Sequence, residues 1–548
     1  MKTQTTKKWL SLLLAVVLIV STFTACGGSG KTDTTKDASS VEPGAKTDVS
    51  VAENQEFNDQ GIEIVDGKRQ LNIGWEYNTS ALSPFVPIYG PSGSYYFNCL
   101  ETLCAYDAHY NMYNVLAKDW SVDENGTVCT VEIYDYIKDS EGTNITAEDV
   151  CFSIEKCQEK GVVSNVKAAT PTGDYTLTIE LEKYVVASLD NILTSCPVVS
   201  KAKYEASGDE MATKLVATGP YVVAEHVPGS VTIFEANENY WQTDDSLKGP
   251  FAYANVDRLK YVTLSELSQR EIALETGELN YIHTPGASSI DLLGGDDNFV
   301  YTAQEGPHTY LFCISMRGVF SDIRAREALN YAIDRDGLIQ GALNGYGFKM
   351  GVGLPAAHYD DSWTESDNVE YNPEKAKELL EEAGLVGKKV TILATANYSA
   401  IYEMVQAYLT AVGLDVEVVT EEQIAWSNDR LDYEKYDLTM VRMQSNDSAY
   451  LYQQLSDRDA TSAHPGYTLT GIQDEKLDEL CNALSAPGGN TQENNKAIHD
   501  YLVENYYVYC PMRSCILDMW RADSGLIQIA YGKAFLPVFG ASSYSWNQ

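Results

Sequence analysis

Apolar and polar residues alternate along Leu71-Asn72-Ile73-Gly74-Trp75-Glu76-Tyr77, which predicts a strand, and Asn78-Thr79-Ser80-Ala81-Leu82-Ser83-Pro84 predicts the loop that leaves it. The same two-residue period marks 127–134, entered through the hairpin signal Asn125-Gly126, and also 176–181 and 222–226. Helical spacing appears where start signals stand. Thr146-Ala147-Glu148-Asp149 fits a capping pattern in which the threonine oxygen meets the first free amides, and predicts a helix to about 160. Asn372-Pro373-Glu374 joins a cap, a proline tolerated in the first turn and an acid at the positive dipole end, and predicts a helix to Gly384. Helices are predicted over 265–276, stopped by Gly277, over 321–344 with a break near Gly337, and over 398–412, stopped by Gly413, before a strand over 414–420. Helices and strands alternate, so the class is α/β.

The first 25 residues follow another pattern. Lys2, Lys7 and Lys8 precede a short, mainly apolar run over 9–20, and Ser21-Thr22-Phe23-Thr24-Ala25 leads to Cys26. A run this short behind a basic front is a secretory signal rather than a spanning helix. A cysteine directly after alanine resembles the lipobox of bacterial lipoproteins, although Phe23 stands where leucine is usual; lipidation of Cys26 is the expectation. Residues 26–60 combine that cysteine with a Gly-, Ser-, Thr- and Asp-rich stretch that has too little apolar surface to order itself, and read as a flexible tether. No later run is long enough to predict a transmembrane helix.

The 548 residues include 39 Lys and Arg against 78 Asp and Glu, a net charge of −39. Removing residues 1–25 takes three lysines and no acid, which makes it −42. Such a surface excludes nucleic acid, whose phosphates require clustered cations, and favours a soluble, self-repelling chain. The eleven cysteines include no Cys-x-x-Cys and no zinc-like Cys–His spacing, so no metal and no cofactor are expected. Pairing of Cys151 with Cys157, or of Cys510 with Cys515, is open. Gly30-Lys31-Thr32 lacks the first glycine of a phosphate loop, and Gly90-Pro91-Ser92-Gly93-Ser94 ends in serine where a nucleophile elbow has glycine. No catalytic residue is expected, and the chain is read as not an enzyme.

The order of motifs resembles the family-5 extracellular solute-binding proteins, the oligopeptide- and dipeptide-binding lipoproteins of bacterial ABC importers. Cys99-Leu100-Glu101-Thr102-Leu103 with Tyr106-Asp107, Leu116-Ala117-Lys118-Asp119-Trp120, Thr146-Ala147-Glu148-Asp149-Val150, Thr218-Gly219-Pro220-Tyr221 with Tyr240-Trp241, and Phe320-Ser321-Asp322 through Asp334-Arg335 carry the resemblance. Read physically, most of these are architecture. Trp120 and Trp241 suit a core, and Asp322, Arg324, Arg326, Asp334 and Arg335 suit helix-face ion pairs.

The resemblance implies a periplasmic-binding-protein-like type II clamp of three lobes. Lobe I is discontinuous (61–92, 214–308 and 509–548), lobe II is 93–213, and lobe III is 309–508. It implies a peptide held in the inter-lobe cleft, ABC permease and ATPase subunits as partners, and a monomer anchored by lipid on the extracytoplasmic face of a cell membrane, a Gram-positive cell surface being the expectation. By the same resemblance Tyr77, Asn78, Thr79 and Ser80 line the cleft, and a lobe III carboxylate holds the peptide α-ammonium. In the corresponding stretch Met443 stands at a tryptophan position, Asn446 at the carboxylate position and Asp447 one residue later; Asp447 is the expected partner. If the ligand is instead an oligosaccharide or another small solute, Trp426, Tyr450, Tyr95 and Tyr96 are candidate aromatic walls. A secreted hydrolase or a chaperone on this scaffold is the remaining alternative.

Overall fold

Strand Lys68–Trp75 forms where the alternation predicts it and buries Leu71, Ile73 and Trp75. It runs parallel to Arg258–Thr263 on one side and to Tyr281–His283 on the other. All three belong to a 13-stranded mixed sheet. Along the main path the sheet continues from Tyr281–His283 through Met512–Arg521, Phe299–Ile314, Leu438–Gln444 and Lys389–Thr395 to Asp415–Glu421. The computed structural model describes residues 62–88, 90–107, 112–185, 188–350, 369–444, 470–532 and 536–545. The signal, Cys26, the tether, Asn446, Asp447 and Tyr450 lie outside the described residues.

Two long strands tie the sheet together. Phe299–Ile314 pairs antiparallel with Met512–Arg521 from Phe299↔Arg521 to Thr309↔Arg513, with a register shift between Glu305 and Thr309. Its far end pairs with Leu438–Gln444, from His308↔Gln444 to Ile314↔Leu438. The shift coincides with Gly306-Pro307: a Cβ on Gly306 would lie 2.6 Å from Ser514 O, and Pro307 has no N–H for the ladder. These polar and bulged positions hide the strand from a periodicity reading. Only pairing with segments far along the chain holds it extended.

The apolar residues sort into separate cores on either side of this crossing. One joins Leu71, Ile73, Trp75, Tyr261, Trp520 and Phe539 to the packing under a separate antiparallel sheet. That sheet has the order Ala117–Val122, Val128–Ile133, Thr176–Leu181, Val166–Pro171. On the other side Phe312, Phe320, Tyr402 and Met440 form one cluster, and Leu311, Leu393, Trp426 and Tyr436 form another.

Local chemistry explains most boundaries. Asp123 Oδ1 accepts from the N–H of Thr127 and Val128, at 2.7 and 2.8 Å, and closes the predicted hairpin. Helix Ala147–Glu159 starts as predicted, but here the N–H and the hydroxyl of Thr146 both donate to Asp149 Oδ2. Asn372 Oδ1 accepts from Lys375 N–H at the start of Pro373–Glu382. The break expected near Gly337 falls earlier, between Ile323–Ala332 and Arg335–Leu343. Asp334 makes it, by accepting from Gly337 N–H as the cap of the second helix.

Of the expected helix-face ion pairs, Arg324 with Asp322 forms, at 2.6 Å. Arg326 is buried and donates to the carbonyls of Phe320, Ser321 and Asn505, and Arg335 donates to those of Met350 and Val369. These cations tie turns to helices, because a buried guanidinium needs acceptors on several sides. No disulfide joins any two of the ten described cysteines, from Cys99 to Cys515, so neither open pairing forms. Among the described residues, no helix is long and apolar enough to cross a membrane.

Candidate functional site

Where Lys68–Trp75 ends, its last residues are pinned from behind. Arg270 is buried and donates to Leu264 O and Ser265 O, and its guanidinium meets Glu76 at 3.2 Å. Tyr77 follows, packed edge-on against Trp75 with ring centroids 5.7 Å apart, yet 36% exposed. Asn78 and Ser80 are exposed. Thr79 is buried instead: its hydroxyl donates to Pro91 O at 2.9 Å and stitches the loop to helix Gly90–Cys99. Of the four residues expected to line a cleft, three are thus available to a ligand and one serves the loop.

Across the sheet crossing stands a group that the sequence reading did not single out. Arg442, exposed on Leu438–Gln444, lies directly opposite Tyr310 in the ladder. Its Nη2 donates to Nδ1 of the half-buried His308 at 2.7 Å. Burial, and secondarily the Arg442 charge, push His308 down to about 4, so the imidazole is neutral near pH 7 and Nδ1 accepts. Burial first, and then Glu76, push the Tyr77 phenol up to about 12, while the charge of Arg442 opposes the rise. Arg442 acts in the same downward direction on Tyr310, which burial raises. The exposed end of one strand system and a cation of the other therefore share one electrostatic environment. Beside them Glu305 and Arg513 form an ion pair at the register shift. The available signal was the single cation, Arg442, closing the mainly apolar run Leu438-Thr439-Met440-Val441.

The remaining expected residues lie elsewhere. Trp426 is only 6% exposed; its Nε1 donates to Thr439 Oγ1 at 3.2 Å, and Arg430 stacks over its ring. It packs as core rather than as an open aromatic wall. Tyr95 and Tyr96 are buried as well. The backbone of Met443 pairs with Thr309. Asn446, Asp447 and Tyr450 lie outside the described residues.

A recess is lined by Ile88, Phe97, Leu100, Tyr113 and Phe251, with Glu101 in its wall. Both Glu101 oxygens are engaged, by Tyr240 OH at 2.5 Å and Trp241 Nε1 at 2.7 Å. Burial nevertheless raises Glu101 to about 7. The motif glutamate and the Tyr240-Trp241 pair thus hold each other, and their role is architectural. Gly219 belongs to the same knot: its N–H donates to Cys99 O at 2.8 Å, and a Cβ there would lie 2.5 Å from that carbonyl. Among the described residues, no group of three His, Cys, Asp or Glu side chains is placed to hold a metal.

Separate α/β cores bridged by shared strands are the type II architecture of extracytoplasmic solute-binding proteins. Solved structures share the fold. HbpA2 from Haemophilus parasuis superposes with a TM-score of 0.75 at 19% identity, covering 87% of this chain and 100% of that one. A dipeptide-binding protein from Pseudoalteromonas in complex with Met-Leu gives a TM-score of 0.63 at 18% identity, covering 87% and 100%. Residues 111–462 match the sequence profile of the bacterial extracellular solute-binding proteins, family 5, and the chain belongs to that family. Di/tripeptide-binding protein 1 of Pseudomonas aeruginosa is 24% identical over 348 residues, 56% of this chain and 63% of that one. The glutathione-binding protein GsiB of Escherichia coli K12 is 26% identical over 333 residues, 58% of this chain and 63% of that one. The aligned region therefore spans less than two thirds of either relative's length.

Proposed function

We propose that this chain is the substrate-binding receptor of an ABC importer and captures peptides in a cleft between lobes. The observation that carries the reading is the family-5 match over residues 111–462, together with relatives named for di- and tripeptides and for glutathione. In this proposal lobe I comprises 61–92, 214–308 and 509–548, lobe II 93–213 and lobe III 309–508. Phe299–Ile314 and Met512–Arg521 are then the strands about which the clamp turns. A ligand closes such a clamp only by contacting the closed form better than the open one, and the permease and ATPase read the closed form. A peptide suits the cleft because its backbone adds to strand edges whatever its side chains. Tyr77, Asn78 and Ser80 are the lobe I contacts, and Asp447 of lobe III is the partner of the peptide α-ammonium.

The receptor binds and does not turn over its ligand. Residues 1–25 are its secretory signal, Cys26 carries the lipid, and 26–60 tether a monomer to the outer face of the cell membrane.

Thermal-shift screening of residues 27–548 tests the reading. Pooled di- to pentapeptides are expected to raise the melting temperature by mass action, and oligosaccharides are not. A shift with a sugar and none with peptides overturns it. Asp447→Asn is expected to weaken peptides with a free N-terminus more than acetylated ones; equal weakening removes Asp447 from the site.

A further inference from the structure

The recess beside Glu101 is walled by aromatic rings from three parts of the chain: Phe97 from helix Gly90–Cys99, Tyr106 and Tyr113 from a short hairpin, and Phe251 from a loop. All four are half-buried, so the recess opens to solvent. The rings are seated rather than loose. Tyr113 lies over Gly249, where a Cβ would come within 2.1 Å of its Cε2, and Phe97 lies over Gly532, where a Cβ would come within 2.7 Å of its Cε1. Tyr113 and Phe251 stand with centroids 6.5 Å apart and planes tilted by 51°, a wedge rather than a closed stack.

Glu101 is buried in this wall. Its bonds from Tyr240 and Trp241 serve the architecture, but both donors are neutral and leave the carboxylate charge unanswered. No cation among the described residues pairs with Glu101. Lys248, one residue before Gly249, is engaged by Asp245 at 2.8 Å and lies over the Tyr253 ring. Burial first, and then Glu101, push the Tyr113 phenol up, so the ring stands within the field of the carboxylate. A buried carboxylate without a counter-ion is costly, and aromatic faces attract cations and repel anions. Both Glu101 oxygens already accept hydrogen bonds, and the wall around them is mainly rings and aliphatic groups. A cation that donates no hydrogen bond suits such a wall better than a primary amine.

We propose that this recess is a second ligand site, separate from the peptide cleft, and takes a small organic cation with an alkylated ammonium group, whose methyl groups meet Phe97, Tyr113 and Phe251 and whose charge is answered by Glu101. The site shares no residue with the peptide contacts proposed above and stands or falls independently of them.

The test uses the protein of residues 27–548 and three probes: tetramethylammonium, choline, and 3,3-dimethylbutan-1-ol, the uncharged carbon counterpart of choline. Calorimetry reads their affinities for the wild type, Glu101→Gln and Phe251→Leu. Wild type is expected to bind choline about tenfold or more tightly than the alcohol. Glu101→Gln is expected to abolish that preference. Phe251→Leu, with Glu101 in place, is expected to weaken both cations about fivefold or more and the alcohol little. Melting curves establish that each variant is folded; if Glu101→Gln is not, Phe251→Leu and Tyr113→Leu decide. Equal binding of choline and the alcohol by the wild type overturns the proposal, as does absence of binding by either cation. Cation affinity that survives the substitutions places the cation elsewhere on the protein and overturns it too.

Discussion

Arg442 and His308 meet across 2.7 Å, with the guanidinium donating and imidazole Nδ1 accepting. The pairing has a consequence for stability. In the fold His308 is held at about 4, against an ordinary 6.5. Between those values the unfolded chain takes up a proton that the folded chain refuses, so stability falls as pH drops through this window. Replacing His308 with Gln removes that dependence. Between pH 7 and pH 5 the wild type is expected to lose about 2 kcal/mol more than His308→Gln. Urea unfolding at the two pH values measures it, and parallel losses would show that His308 does not titrate differently in the fold.

Glu101 carries the opposite sign. Its folded value, about 7, stands above the ordinary 4.5 because burial outweighs the bonds from Tyr240 and Trp241. The folded chain holds the proton longer, so this group makes stability fall as pH rises from 4.5 to 7. From pH 5 to pH 8 the wild type is expected to lose about 2–3 kcal/mol relative to Glu101→Gln. The two groups partly cancel in the wild type, so differences against each variant are the quantities to compare.

Gly219→Ala places a methyl 2.5 Å from the Cys99 carbonyl, a backbone atom that cannot rotate away. A loss of about 1–3 kcal/mol and a lower melting temperature are expected. An unchanged melting temperature would mean that the Thr218–Tyr221 turn and helix Gly90–Cys99 separate freely.

Trp426→Phe keeps most of the ring but removes the Nε1 bond to Thr439. A cost of about 1 kcal/mol in stability is expected, with ligand affinity unchanged. A large loss of affinity without loss of stability would move Trp426 from the core to the site.

Reduction makes a further check. With no disulfide among the described cysteines, dithiothreitol is expected to leave the melting temperature where it is. A drop of several degrees would reveal a structural disulfide.

The local elements were legible because their causes are local. The alternation through Leu71 and Ile73, the Asn372-Pro373 start and the Asn125-Gly126 turn each act within a few residues, and strand, helix and hairpin formed there. The motif residues Glu101, Gly219 and Trp241 were legible as a family signature and as architecture. What periodicity missed were the two crossing strands: Gln304-Glu305-Gly306-Pro307-His308 breaks every local pattern, and only pairing with 512–521 and 438–444 keeps that segment extended. The site divides in the same way. The exposed end at Tyr77 and Asn78 follows from where a strand stops, whereas burial of Trp426 and the meeting of Arg442 with His308 depend on sheet register. Sequence alone determined the α/β class, the acidic surface and the family, since composition and short motifs carry those. Tertiary structure decided that Arg442 meets His308, because that depends on how distant strands align, a long-range choice that no single segment encodes.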